Sequence, residues 1–312
     1  MVTWTTHHSI LTTHYSPPML WQLRDRTLDI SRPLVMGIVN VTPDSFSDGG
    51  KHNTTEAAVG HGLEMVRKGA AIVDIGGEST RPGATPVSMD EELSRVVPVV
   101  ESLAKQTSAL ISIDTYKAEV ARQSLLAGAH VVNDITALNG DPNMAETVRA
   151  FRAGVVLMHM QGTPQTMQID PRYDDVVAEI TAFFEARLQF AANLGIAAEC
   201  VALDPGIGFG KSSNHNLTLL ARLAEFQRFG RPICLGVSRK GFLGRRLGRP
   251  VERRLAGSLA AACHALGQGA AQILRVHAVE ETCDAVSVYA AIDDLGREGR
   301  DKHGVGIGPV PD

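Results

Sequence analysis

Aromatic side chains are scarce in this 312-residue chain, at 5% of positions, which leaves little material for stacking nucleic-acid bases. Positive charge is not in excess either. The formal net charge is −4 and the pI about 6.3, so no global basic field exists to collect nucleic acid, although a local basic pocket for an anionic substrate remains open. The four cysteines (Cys200, Cys234, Cys263, Cys283) are far apart and form no CxxC pair. They read as reduced, mostly buried thiols in a reducing cytosol. No stretch of about 18 uninterrupted apolar residues occurs, so nothing reads as a membrane span. The first residues lack the charged-then-apolar pattern of a signal peptide. The expectation is a cytoplasmic protein with neither nucleic acid nor membrane as a partner.

What the chain does have is eight short apolar runs, most of them ending in a polar residue. They are LVMGIVN (Leu34–Asn40), AIVDIG (Ala71–Gly76), ALISIDT (Ala109–Thr115), AHVVND (Ala129–Asp134), GVVLMHM (Gly154–Met160), CVALDP (Cys200–Pro205), PICLGVS (Pro232–Ser238) and QILRVH (Gln272–His277). Asn40, Asp74, Asp114, Asn133, His159, Asp204, Arg275 and His277 lie at or near their ends, and Lys240 follows the seventh run. A polar group inside a buried strand costs free energy unless it is paired. Polar residues gathered at one end of many strands therefore point to a shared mouth, where a parallel α/β barrel keeps its active site.

Segments of helical periodicity separate the runs: 55–68, 89–107, 117–127, 142–153, 174–194, 214–229, 252–266 and 279–298. Strand then helix, eight times over, predicts a single (β/α)8 TIM barrel over residues 33–298. Residues 1–32 read as a short N-terminal extension capping the barrel bottom, with Met19, Leu20 and Trp21 as apolar anchors, and 299–312 as a flexible tail. Two connections, 41–54 and 77–88, are longer than usual βα loops and rich in Gly, Pro, Ser and Asp. Both read as lids.

Several motifs carry chemistry. DPGIGFGK (Asp204–Lys211) is neither a Walker A loop nor a Rossmann fingerprint, because its glycines fall at the wrong spacing. What remains is a carboxylate followed by a Gly-rich turn, suited to gripping paired N–H donors of a flat ligand; Asp204 as a loop stabiliser is the plainer alternative. Arg275 and His277 alternate on one strand and so face the same side, which suits a phosphate or pyrophosphate. An arginine paired with a structural carboxylate is the competing reading. Ser238, Arg239 and Lys240 put a hydroxyl and two cations where such barrels often frame a phosphate. His159 reads equally as a ligand or a core residue. With no HxH or HExxH, a tightly held Zn2+ is not expected, whereas Asn40 could help hold Mg2+ through substrate phosphate oxygens.

Taken together, MGIVNVTPDSFSDGG (Met36–Gly50), DIGGESTRPG (Asp74–Gly83), ISIDT (Ile111–Thr115), VVNDI (Val131–Ile135), MHMQGTP (Met158–Pro164), DPGIGFGK, GVSRKGFLG (Gly236–Gly244) and RVH (Arg275–His277) resemble the dihydropteroate synthase family, from about residue 33 to 295. The resemblance implies a transferase that joins 6-hydroxymethyl-7,8-dihydropterin diphosphate to p-aminobenzoate in folate biosynthesis. It further implies that Asp114, Asn133, Asp204 and Lys240 hold the pterin, and that Asn40, Arg275 and His277, with Thr80, bind the diphosphate with Mg2+ at Asn40. Phe46, Thr80, Arg81, Pro82, Ser238 and Lys240 would shape the p-aminobenzoate site. Asp48, Asp114 and Lys240 would carry catalysis. A homodimer and a sulfonamide target also follow from the resemblance. A pterin-dependent methyltransferase on the same barrel would not need the STRPG or SRK segments. A non-catalytic pterin-binding paralogue should have eroded the first loop or the RVH cations, and neither is eroded.

Overall fold

The computed structural model describes residues 19–42 and 51–303, the side chains of the second stretch over 55–295. An antiparallel hairpin comes first, β1 (Leu20–Leu23) and β2 (Arg26–Asp29). Eight parallel strands follow: β3 (Leu34–Asn40), β4 (Ile72–Gly76), β5 (Leu110–Asp114), β6 (Val131–Asp134), β7 (Gly154–Met158), β8 (Val201–Asp204), β9 (Cys234–Leu235) and β10 (Ile273–Val276). Their spatial order is β8-β7-β6-β5-β4-β3-β10-β9. The ring is drawn shut between β8 and β9, where the Leu203 N–H donates to the Pro232 carbonyl at 2.8 Å and Leu203 bridges Ile233. Helices α1 (Lys51–Arg67), α2 (Met89–Gln106), α3 (Ala118–Leu126), α4 (Met144–Phe151), α5 (Val176–Asn193), α6 (Ser213–Ala221), α7 (Gly241–Leu247), α8 (Leu255–Gly267) and α9 (Val279–His303) form the outer layer. This is the expected TIM barrel. Among the described residues no helix is long and apolar enough to cross a membrane.

Period-two alternation along each strand sorts the residues into two cores. Val35, Val73, Ile111, Val132, Val155, Val201, Leu235 and Leu274 face outward and pack in the large cluster with helix residues such as Val99, Leu103 and Phe184. Their neighbours face inward. Met36, Ile72, Leu110, Val131, Val156, Ala202, Cys234 and Ile273, one from each strand, form a separate apolar floor with Trp21, Leu23 and Ile30. The hairpin therefore caps the bottom. Trp21 is fully buried, and its indole N–H donates to the Cys200 carbonyl at 2.9 Å. β7 starts with Gly154 because a Cβ there would lie 2.1 Å from Leu23 Cδ2.

Three local features depart from the sequence reading. The helix expected over 214–229 ends at Ala221 and continues as a 3-10 segment, Leu223–Phe229. Leu223, Phe226 and Phe229 recur every three residues, and the tighter winding puts all three on the core side. A short helix, α7, follows Lys240 where none was expected, burying Phe242 and Leu243. The last helix runs to His303, past the expected start of the tail at 299; the first proline of that stretch, Pro309, lies further on. All four cysteines are free, Cys200 and Cys234 buried and the other two half-buried.

Replacing Trp21 with alanine removes the largest side chain of the floor and one buried hydrogen bond. The expected loss is about 3–5 kcal/mol of unfolding free energy, measured by denaturant titration; a loss under about 1 kcal/mol would mean the hairpin contributes little to the barrel.

Candidate active site

Two residues above the apolar floor, the inward face of the barrel turns polar. Asp74, Ser112, Asn133, Asp204 and Arg275 occupy these positions, all on strands and all buried or nearly so. Strand register brings Arg275 of β10 beside Met36 of β3, and Asp74 of β4 beside Ile38 of β3, so cation and carboxylate meet across β3. Arg275 Nε donates to Asp74 Oδ2 at 2.6 Å, and its Nη2 donates to Asp114 Oδ2 at 2.5 Å. Asn133 Nδ2 also donates to Asp74 Oδ2, at 3.1 Å. Burial pushes the Asp114 carboxyl up to about 7 against the pull of the Arg275 guanidinium, with Asp74 pushing the same way as burial. One cation thus serves two acids. Asp74 Oδ1 and Asp114 Oδ1 have no hydrogen-bond partner within the protein.

The opposite wall is built on the glycine turn after β8. Asp204 is buried, its carboxyl pushed up by burial, and its Oδ1 accepts the Gly206 N–H at 2.7 Å. Gly206 has φ +66, and a Cβ on it would sit 1.9 Å from the His159 carbonyl oxygen, so no other residue fits. Lys211 closes the turn from inside. Its ammonium lies 3.0 Å from His159 Nδ1 and donates to the carbonyls of Phe209 (2.8 Å) and His159 (3.3 Å), which uses all three N–H groups. Burial lowers Lys211 to about 7 and His159 to about 2, so the imidazole is neutral and its Nδ1 accepts. Above this turn the Lys240 ammonium lies 4.2 Å from the centre of the Phe209 ring. Burial lowers Lys240 to about 8, with Asp204 opposing.

The rim carries the remaining candidates. His277 continues the inward face of β10, and its backbone N–H donates to Ser238 Oγ at 3.2 Å while its Nδ1 lies 3.1 Å from the same oxygen. Nδ1 is thus engaged with the Ser238 hydroxyl in either neutral tautomer, and Nε2 is the ring nitrogen outside that bond. Burial, with Arg239, Arg275 and Arg81 nearby, holds His277 down to about 4, so the ring is neutral. Asn40 ends β3 on the inward side, paired in register with Gly76. Thr80 is half-buried, and Arg81 and Pro82 are exposed, on the 77–88 segment. That segment leans on the connection after β7, where the Gly83 N–H donates to the Pro164 carbonyl and Gln165 Nε2 donates to the Ala84 carbonyl, both at 3.2 Å. Phe46 and Asp48 lie outside the described residues.

Asp114, Asn133, Asp204, Lys240, Arg275, His277 and Ser238 thus gather at one end of the barrel. The sequence marks Asp74 and His159 as polar strand ends without assigning either a role, and it gives Lys211 none. Asp74 is the principal carboxylate on Arg275, and its signal was the inward parity it shares with Ile72. Lys211 and His159 hold the glycine turn together, and nothing in the linear motif indicated that a lysine there points inward. Among the described residues no group of three or more His, Cys, Asp or Glu side chains could hold a metal ion unaided.

Comparison with known proteins agrees with this geometry. A family model described as a pterin binding enzyme matches residues 36–277, which spans β3 to the end of the RVH motif. The dihydropteroate synthase of Escherichia coli K12 is 52% identical over 265 residues, 85% of this chain and 93% of that one. A solved Xanthomonas albilineans dihydropteroate synthase with 4-aminobenzoic acid is 48% identical, with a TM-score of 0.84 over 89% of this chain and 99% of that chain. The Yersinia pestis dihydropteroate synthase, solved in complex with a sulfonamide drug, is also 48% identical, with a TM-score of 0.83 over 88% of this chain and 100% of that chain. This chain belongs to the dihydropteroate synthase family of pterin-binding enzymes.

Proposed function

We propose that the barrel mouth condenses 6-hydroxymethyl-7,8-dihydropterin diphosphate with p-aminobenzoate, giving 7,8-dihydropteroate and pyrophosphate. The observation that carries this reading is the pair of buried carboxylates, Asp114 and Asp204, set at inward strand ends with the cations Arg275 and Lys240 beside them. A pterin edge alternates N–H donors with acceptors. The carboxylates and Asn133 take its amino and ring N–H groups, and Lys240 donates to its carbonyl or ring nitrogen. Arg275 and His277 face the diphosphate, with Asn40 and Thr80 at its edge. Arg81, Pro82 and Ser238 line the p-aminobenzoate approach, and the solved Xanthomonas relative with 4-aminobenzoic acid supports that compound as a substrate. The sulfonamide bound to the Yersinia relative likewise supports sulfonamides as ligands of this site.

An arylamine is largely unprotonated at neutral pH, so it needs no strong base. The harder task is the departure of pyrophosphate from a methylene that becomes cationic. Arg275 and His277 stabilise the leaving anion. Asp114 stabilises the developing positive charge. The 77–88 segment excludes water that would otherwise capture the cation. Mg2+ fits this site only as a guest of the substrate: Asn40 supplies one hard oxygen, and the diphosphate must supply others. When bound, the ion neutralises leaving-group charge.

A second copy of the chain is the partner we propose for α9. Val288, Ile292 and Leu295 are 61%, 67% and 70% exposed and lie along one helix stripe. The Ala-rich surface of α8 adjoins it, since α8 packs beside α9.

Pyrophosphate release that depends on added p-aminobenzoate tests the reaction; pterin diphosphate binding without such release would overturn it. Protonation of Asp114 on falling pH removes an acceptor that the pterin needs. The value of kcat/KM for the pterin diphosphate should therefore fall about tenfold per pH unit below about 7, and Asp114→Asn should remove that limb; a limb that persists in the variant assigns it to another group. His277→Ala should raise the KM for the diphosphate about tenfold while binding of the free pterin, measured by calorimetry, changes little. Equal losses would remove His277 from the anion site. Sedimentation velocity should show a dimer that Ile292→Asp converts to monomer; a monomeric parent protein would remove the α9 interface.

A further inference from the structure

The segment 77–88 has no helix or strand of its own, yet both its ends are fastened to the same side chain. Lys117, in the connection between β5 and α3, donates to Glu78 Oε2 at 2.5 Å, to the Val87 carbonyl at 2.8 Å, and to Glu92 Oε2 on α2. An ammonium has three N–H groups, and all three are engaged here. The other oxygen of Glu78 accepts the Tyr116 hydroxyl at 2.8 Å. Arg95 of α2 adds a bond from its Nη1 to the Gly77 carbonyl at 2.6 Å. The side chains of Glu78 and Glu92 are only 6% and 1% exposed.

Two acids and a lysine are costly to bury, and an apolar trio of similar volume would stabilise the wall at least as well. What an apolar trio cannot do is join three separate pieces of chain in one geometry. Lys117 joins the second residue after β4, the end of the loop just before Ser88, and the first turn of α2. Thr80, Arg81 and Pro82 lie between the two fastened ends. None of the bonds made by Lys117 reaches Asp114, Asn133, Asp204 or Lys240.

We infer that Lys117, with Tyr116 and the two glutamates, is a positioning residue for the p-aminobenzoate half of the reaction: it sets the height of the Thr80–Pro82 segment over the barrel mouth. The inference rests on the reading that this segment lines the arylamine site. Loss of the pin loosens the loop and leaves the pterin floor intact, so p-aminobenzoate and the free pterin respond differently.

The test uses the full chain with Lys117→Met, Tyr116→Phe and Arg81→Ala. Lys117→Met should raise the KM for p-aminobenzoate about tenfold while binding of the free pterin, measured by calorimetry, changes less than about twofold. Tyr116→Phe, which removes only an edge hydroxyl, should move the same KM about threefold in the same direction, and it carries the test if Lys117→Met fails to fold. Amide exchange over 79–86 should quicken about tenfold in the variants while the barrel strands keep their protection. An equal loss of free-pterin binding, or unchanged exchange over 79–86, overturns the inference. Arg81→Ala separates it from the underlying reading. If Arg81→Ala raises the arylamine KM and neither pin variant does, the pin is wrong; if exchange quickens and no variant moves that KM, the segment does not line the arylamine site.

Discussion

The guanidinium of Arg275 is the contact on which the interior of this barrel depends. Asp74 and Asp114 sit on neighbouring strands with both side chains inside the sheet, and neither could stay there charged without a cation between them. A single arginine for two acids leaves the group one proton short of balance. That is the physical origin of the raised Asp114 value, since burial and Asp74 act together against the pull of Arg275. The arrangement binds the barrel across β3 and presents an acid, an amide and a cation at the same height.

The two walls of the mouth are held by different physics. On the Arg275 side, charge pairing within the sheet places the groups. On the Asp204 side, backbone geometry does it: three glycines with positive φ allow the turn to press against the connection after β7, and Lys211 ties it there. Lys240 can then rest on Phe209, a ring supplied by that turn. A floor of eight apolar side chains, sealed by Trp21, keeps water from approaching either wall from below. The chemistry is confined to the upper face, and the connections after β4 and β9 supply the remaining contacts.

The fold was legible because the strands announce themselves by length and alternation. LVMGIVN and AIVDIG read correctly to within a residue, and the helices between them begin and end near their expected positions. Where the reading failed, local winding had to answer to the core, as in the 3-10 segment Leu223–Phe229. The candidate site was legible in its members and less so in their connections. Asp114, Asn133, Asp204, Arg275 and His277 stood out as polar residues ending apolar runs. Asp74 stood out in the same way, but its partner lies 201 residues away in the chain.

By itself the sequence determined the eight-fold alternation, the family and the polar strand ends, because hydrophobic periodicity and motif spacing are local properties of the chain. Only the tertiary structure decided which charges compensate one another. Closing the sheet sets β10 against β3 and β3 against β4, and that register turns Arg275 toward Asp74 and Asp114. It also brought Lys117 to both ends of a loop some thirty residues earlier in sequence. Electrostatic energy in a buried site depends on distances of a few ångströms, and those distances exist only once the barrel has closed.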